Sequence, residues 1–303
     1  MRYELFGRLS LAAVAFSLAA SAGLAGSSEY DGVCEVSAAA KLDDSHFIVA
    51  SDETQTLTVY KRYEATPLAS FGVGDVTDIE AAARVGNTIF WLTSHSLNKE
   101  GEDKKKRKLL LATSYDPQTQ RLALIGEYRQ LRAQIASALA MQEDALKGEL
   151  NIEGLAATPE GDLLVGLRSP LPAGKTATVV KLKNPLDPGN HTEAAAAVPR
   201  QDTAELPLGE RGIRSLEKIA TGDHAYLIVA GSVEDKGQSP LLFWWDGISK
   251  EVNPGPEVDL AGMTPEAVIA WNEHEFEIFG DNGDTCSDES DNRRWFPSLN
   301  VKW

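Results

Sequence analysis

Ile152-Glu153-Gly154-Leu155-Ala156, the polar turn Glu160-Gly161-Asp162 and the apolar residues 163–167 read together as two strands joined by a tight turn. The same unit recurs. Cys34-Glu35-Val36-Ser37-Ala38, Ile79-Glu80-Ala81-Ala82-Ala83, Leu216-Glu217-Lys218-Ile219-Ala220 and Pro265-Glu266-Ala267-Val268-Ile269 open four further copies, each with a glutamate near its start. Polar turns follow at Asp43-Asp44-Ser45, Gly86-Asn87, Gly222-Asp223-His224 and Asn272-Glu273-His274, and each leads into a second apolar strand. Beyond that strand the chain turns a small or polar corner, such as Ser94-His95-Ser96, Arg168-Ser169-Pro170 or Gly280-Asp281-Asn282. Two more strands then complete most units, at 57–61 and 68–71, 108–115 and 122–128, 177–182 and 203–206, and 241–245 and 257–260.

The repeat glutamates stand 45, 73, 64 and 49 residues apart, and the short intervals match a propeller blade. The spacing predicts an all-β fold, a β-propeller of five blades with six as the alternative. Residues 130–147, with Leu131, Ile135, Ala138, Leu139 and Leu146 on one face, predict an amphipathic helix inserted between the second and third blades. Residues 184–211, with four prolines, predict a surface excursion around one edge strand. The last unit has only 295–301 for its outer strands, so the ring is expected to close with a strand from residues 23–33. In the strand at 241–245, Trp244 and Trp245 point to opposite faces, so one of them is expected to be the more exposed, with core packing the default reading and carbohydrate stacking the alternative.

Composition narrows the rest. The chain has 303 residues and a formal net charge of −16, a field that repels a phosphate backbone, so no nucleic-acid partner is expected. Arg2 and Arg8 precede an apolar run at 9–20, followed by the small-residue site Ala20-Ser21-Ala22. Residues 1–22 therefore read as a signal peptide, leaving 23–303 as one propeller domain in the periplasm or the medium, with no membrane span after cleavage. The alternatives are cleavage after Ala25 or an uncleaved anchor. In such a compartment Cys34 and Cys286, in the first and last repeats, are expected to form a disulfide, because ring closure makes those repeats neighbours.

Asn151-Ile152-Glu153-Gly154-Leu155-Ala156 with Gly166-Leu167-Arg168-Ser169-Pro170-Leu171, Asp78-Ile79-Glu80 with Ser94-His95-Ser96, and Gly212-Ile213-Arg214-Ser215 resemble an uncharacterised family of secreted bacterial proteins known as a domain of unknown function. More remotely, the Glu-Gly-Leu-Ala unit resembles phytase-like and gluconolactonase- or paraoxonase-like propellers, in which carboxylates around the channel bind calcium. The first resemblance implies no activity, and the second matches a repeat style rather than a catalytic signature.

In a propeller the first strand of each blade lines the central channel. Glu35, Glu80, Glu153, Glu217 and Glu266 are therefore expected to ring one mouth, with Asn151, Arg168, Arg214, Asp281, Asn282 and His95 beside them. Two unit charges 4 Å apart repel by about 4 kcal/mol at an effective dielectric near 20, so such a ring needs neutralising. A divalent cation, best Ca²⁺, would take the glutamates with Asn151, Asp281 or Asn282 as oxygen ligands. Alternatively Arg168 and Arg214 would pair with the glutamates internally. His95 is the candidate general base. The expected function is a cation-dependent hydrolase of a small anionic ester, lactone or phosphate, and the alternative is a non-catalytic binding or scaffold propeller. No Gly-x-Ser-x-Gly elbow or His-Glu-x-x-His helix occurs to suggest other chemistry. The basic run Lys104 to Lys108 stands ready either to steer an anionic ligand or to sit solvated in a loop.

Overall fold

The computed structural model describes residues 24–51, 54–172, 175–186, 202–234, 237–260, 262–281 and 294–303. The segment read as a signal peptide, residues 1–22, lies outside them, as do Asn282 and Cys286. Twenty strands form five antiparallel four-stranded sheets. Strand β1 (Leu24–Asp31) is held for the end. Blade one is β2 (Val36–Lys41), β3 (His46–Ser51), β4 (Thr56–Lys61) and β5 (Ala69–Gly72). Blade two is β6 (Ile79–Val85), β7 (Thr88–Thr93), β8 (Leu110–Asp116) and β9 (Arg121–Tyr128). Blade three is β10 (Asn151–Ala157), β11 (Leu163–Ser169), β12 (Ala177–Leu182) and β13 (Thr203–Leu206). Blade four is β14 (Gly212–Lys218), β15 (Tyr226–Gly231), β16 (Leu241–Trp245) and β17 (Asn253–Pro254). Blade five is β18 (Thr264–Asn272), β19 (Glu275–Asp281), β20 (Trp295–Lys302) and, outermost, β1 from the other end of the chain. The ring closes as expected, with β1 antiparallel to β20 from Leu24 opposite Lys302 to Asp31 opposite Trp295.

The blades pack face to face, so their middle strands are buried on both sides. That is why β3 and β7 read as continuous apolar runs instead of alternating ones. It also buries both members of the tryptophan pair, the core packing taken as the default, so that neither ring stands exposed. Trp244 is buried with its ring centroid 4.4 Å from that of Trp303, while Trp245 is buried in the core shared by blades three and four, its Nε1 donating to the Ser249 carbonyl at 2.8 Å.

At the closing interface Tyr30 of β1 stacks on Phe296 (5.3 Å), and Phe47 of blade one on Phe279 of blade five (5.0 Å). Beneath these rings the fully buried Glu277 accepts hydrogen bonds from Tyr30 (3.1 Å), Ser298 (2.6 Å) and Trp271 (2.8 Å), and Arg62 of blade one lies 3.8 Å away. Cys34 is also buried here, and no described cysteine is free. Its expected partner Cys286 lies outside the described residues, five positions beyond Asp281, which bridges to Glu35.

Two elements differ from the sequence reading. The inserted helix is α1 (Leu131–Ala138), eight residues long. It stops early because Ala140 adopts a left-handed backbone (φ 54°), and a separate 3₁₀ turn at Glu143–Leu146 follows. Leu131, Ile135, Ala138 and Leu146 nevertheless face one way, into the core between blades two and three, so this insertion belongs to the core. In blade four the outer strand is Asn253–Pro254, not 257–260. Pro254 and Pro256 have no N–H to give a ladder, which cuts the edge short, and Val258 and Leu260 pack against the core of blades four and five instead.

Candidate functional site

Every innermost strand carries a register break just after its first or second paired residue. The breaks lie between Val36 and Ala38, Ile79 and Ala81, Ile152 and Gly154, Ile213 and Ser215, and Pro265 and Ala267. A β-bulge of this kind re-aims one side chain. The re-aimed residues are Ser37, Glu80, Glu153, Arg214 and Glu266, and all five line one cavity of about 150 Å³ at the channel mouth. The ring is thus three glutamates, one arginine and one serine. Glu35, Arg168 and Asp281 complete its walls.

This corrects the expected ring of five glutamates. Glu35 does reach the mouth, but from two residues ahead of the bulge. Glu217 lies three residues past the bulge of its strand and opens on the opposite mouth, a cavity of about 400 Å³, where its carboxylate accepts the Ala270 N–H at 3.0 Å. Burial pushes the Glu217 carboxyl up to about 8. Between the two mouths the channel narrows to about 10 Å³, walled by alanines of β2 and β6 with Leu155, Leu216 and Val268. The Ala-rich runs serve this waist, since small side chains let the inner strands approach. In blade three the same need is met by Gly154, where a Cβ would stand 2.7 Å from Ile213 and 2.9 Å from the Gly166 backbone.

The arginines are already engaged. Arg214, on the bulge of blade four, makes a two-pronged contact with Glu266 of blade five, Nε to Oε2 at 3.2 Å and Nη2 to Oε1, and its Nε lies 3.7 Å from Glu153 of blade three. Arg168, near the end of β11, donates to Glu153 Oε1 at 2.8 Å and to the Ser232 carbonyl at 3.2 Å. Asn151 also donates to Glu153 Oε1, at 3.1 Å. Burial works against charge on Arg214, but Glu266 and Glu153 hold its pKa above the ordinary value. Burial, with Glu153 and Asp281 nearby, pushes Glu266 up to about 8 in spite of Arg214. Two acceptor atoms are left over: Glu153 Oε2 and Asn151 Oδ1 are buried without a hydrogen-bond partner among the described residues.

Behind the ring, Asp78 accepts Ser94 Oγ and pairs with Arg107 at 2.5 Å, and burial raises its pKa. His95, the next residue along the corner, was expected at this mouth and is not there. Its backbone is left-handed (φ 60°), so Ser94 faces Asp78 while the imidazole faces a separate basic cavity outside blade two. Asn282 lies outside the described residues. Sequence reasoning missed Ser37 altogether and took Arg214 for a neighbour of the ring rather than a member.

No protein-family model and no curated protein sequence matches the chain. Among solved structures, the glutaminyl cyclase of Myxococcus xanthus aligns with a TM-score of 0.50 at 14% identity, over 92% of this chain and 97% of that one. The PQQ-bound aldose sugar dehydrogenase of Streptomyces coelicolor aligns with a TM-score of 0.46 at 12% identity, over 93% of this chain and 100% of that one. At these identities the likeness is one of fold, and the chain is a five-bladed β-propeller distantly similar to propeller enzymes.

Proposed function

We propose that the channel mouth is a hydrolytic centre for a small anionic ester, lactone or phosphate, working with a bound divalent cation, Ca²⁺ being the best fit. The observation that carries this reading is the pair of buried acceptors, Glu153 Oε2 and Asn151 Oδ1, that take no hydrogen bond from the described residues, Arg214 Nε standing 3.7 Å from the former. A carboxylate and an amide carbonyl are the ligands a hard cation takes. Among the described residues no group of three or more His, Cys, Asp or Glu side chains is drawn together to hold a metal. The shell would therefore be completed by water. When bound, the cation would polarise the carbonyl or phosphoryl oxygen under attack.

The protein's own part is proton transfer. Glu266, whose carboxyl burial raises above the ordinary range, would hold a proton and give it to the leaving oxygen. Glu80, which lines the same cavity, would accept one from the attacking water as the new bond to carbon or phosphorus forms and the ester bond breaks, while Glu153 stays the cation's ligand. Arg214 touches Glu266 and Glu153 and fixes their separation. On this reading the protein works in the periplasm or the medium, and removal of residues 1–22 leaves β1, which starts at Leu24, whole.

Assays with chromogenic aryl esters, lactones and phosphate monoesters, with Ca²⁺ and with EDTA, test it. Turnover is expected to need the cation, and Glu266→Gln is expected to lower kcat/KM by about 100-fold or more while the variant stays folded. Cation-independent turnover, or none of any substrate, would count against it. One observation favours the scaffold reading: Arg214 and Arg168 tie blades three, four and five together.

A further inference from the structure

A second polar cavity, of about 620 Å³, lies outside blade two against the inserted helix. In a chain of net charge −16 it collects Lys105, Lys106, Lys108, Arg129, Arg132 and His95. Its lining acids are mostly spoken for: Glu127 pairs with Arg129 at 2.9 Å and Glu143 with Arg132 at 3.1 Å, leaving Asp75. Asp103 takes Lys108 at 2.8 Å and Arg132 at 3.1 Å. Lys105 and Lys106, presented by the short turn Lys105–Arg107, have no ion-pair partner among the described residues. The turn is pinned by Arg129, whose Nη1 donates to the Lys105 carbonyl at 3.2 Å.

His95 points to what belongs there. It is 2% exposed, and neither ring nitrogen has a hydrogen-bond partner among the described residues. Buried polar atoms in folded proteins are almost always satisfied. Burial, with Arg132 and Lys108 close by, lowers its pKa to about 3, so the ring is neutral and presents one donor and one acceptor. An occupant must therefore bring negative charge for the two free lysines, an acceptor oxygen for the imidazole N–H, and a hydroxyl donor for the other nitrogen. A phosphate group on a hydroxylated carbon skeleton brings all three, and the cavity volume suits a ligand of that size.

We propose that this cavity is a binding site for a small phosphorylated, hydroxyl-bearing compound of the sugar phosphate class, held by Lys105 and Lys106 and read by His95. It is separate from the channel mouth, because the Asp78–Arg107 pair and Ser94 stand between them, and it holds whether or not the mouth is catalytic.

The test uses the full chain, with glucose 6-phosphate as probe and glucose as control at matched ionic strength. Calorimetry is expected to show one-to-one binding of the phosphate and none of glucose. The ring nitrogen resonances of His95 are expected to shift on addition of the probe. The surface double variant Lys105→Ala/Lys106→Ala is expected to weaken binding at least tenfold. Absence of both heat and His95 shifts in the parent protein overturns the proposal, and so does binding that survives the double lysine variant.

Discussion

Glu277→Ala is expected to destabilise the protein by about 3–5 kcal/mol, the usual cost of removing one member of a buried charged network. Glu277 is wholly buried and collects Tyr30 from β1, Trp271 from β18, Ser298 from β20 and Arg62 from blade one. Its removal leaves three donors and a guanidinium facing a void at the seam where the two ends of the chain meet. Arg62 keeps a contact with Glu275 at 2.5 Å and lies 4.3 Å from the Trp271 ring centroid, so it stays in place while losing its buried counter-charge. Urea denaturation at neutral pH measures the loss. A cost under about 1 kcal/mol would show that the stacked rings of Tyr30, Phe47, Phe279 and Phe296 close the propeller without the polar lock.

Stability is expected to fall as the pH rises from about 5 to 9, against the more familiar gain of stability away from acid. Glu266 and Glu217 carry carboxyls raised from 4.5 to about 8 by burial. A carboxyl with a higher pKa in the folded chain holds its proton more tightly there, so folding is favoured fully below 4.5, and the advantage drains away as the pH climbs towards 8. The contribution of the partly exposed Glu217 is reduced by water, which screens it. At the acid end the sign reverses, since hydrogen bonding and ion pairing hold Asp43, Asp103 and Glu275 below their ordinary values despite some burial. The two high carboxyls sit at opposite mouths, so their contributions should add. Denaturation of the parent and of Glu217→Gln at pH 5, 7 and 9 checks this. Glu217→Gln is expected to flatten the profile and to exceed the parent in stability at pH 9. A variant as pH-sensitive as the parent would remove Glu217 from the account.

The propeller was legible in the sequence because every blade must bury both faces of its middle strands, which writes the same apolar run five times. Closure by the first strand was legible for a related reason: blade five has too few residues after Asp281 to complete itself. The ring of functional residues was only half legible. Aligning the repeats on their glutamates puts blades one and four out of register, because the position that faces the channel is fixed by the bulge and not by residue type. A different signal was present. Val36-Ser37-Ala38, Ile79-Glu80-Ala81, Ile152-Glu153-Gly154, Ile213-Arg214-Ser215 and Pro265-Glu266-Ala267 share an apolar residue before the ring position and a small one after it. The small residue is what the waist requires, and aligning on it brings Ser37 and Arg214 into the ring. The place of His95 was not legible, because a single left-handed φ separates facing Asp78 from facing the basic cavity. Glu277 was missed as well, since a charged residue in a middle strand shows its partners only once the ring is closed.

The proposed binding of a divalent cation at the channel mouth is tested most directly by the melting temperature of EDTA-stripped protein titrated with Ca²⁺. A ligand at 100 times its dissociation constant adds about 2.7 kcal/mol to the folded state, a shift well within measurement. The parent protein is expected to gain this stability at millimolar Ca²⁺, and Glu153→Gln, which keeps the hydrogen bonding but not the charge, is expected to lose the gain. If Ca²⁺ leaves the parent unchanged, and Glu153→Gln costs the same stability with and without it, the polar ring is a brace between blades and the hydrolytic reading fails.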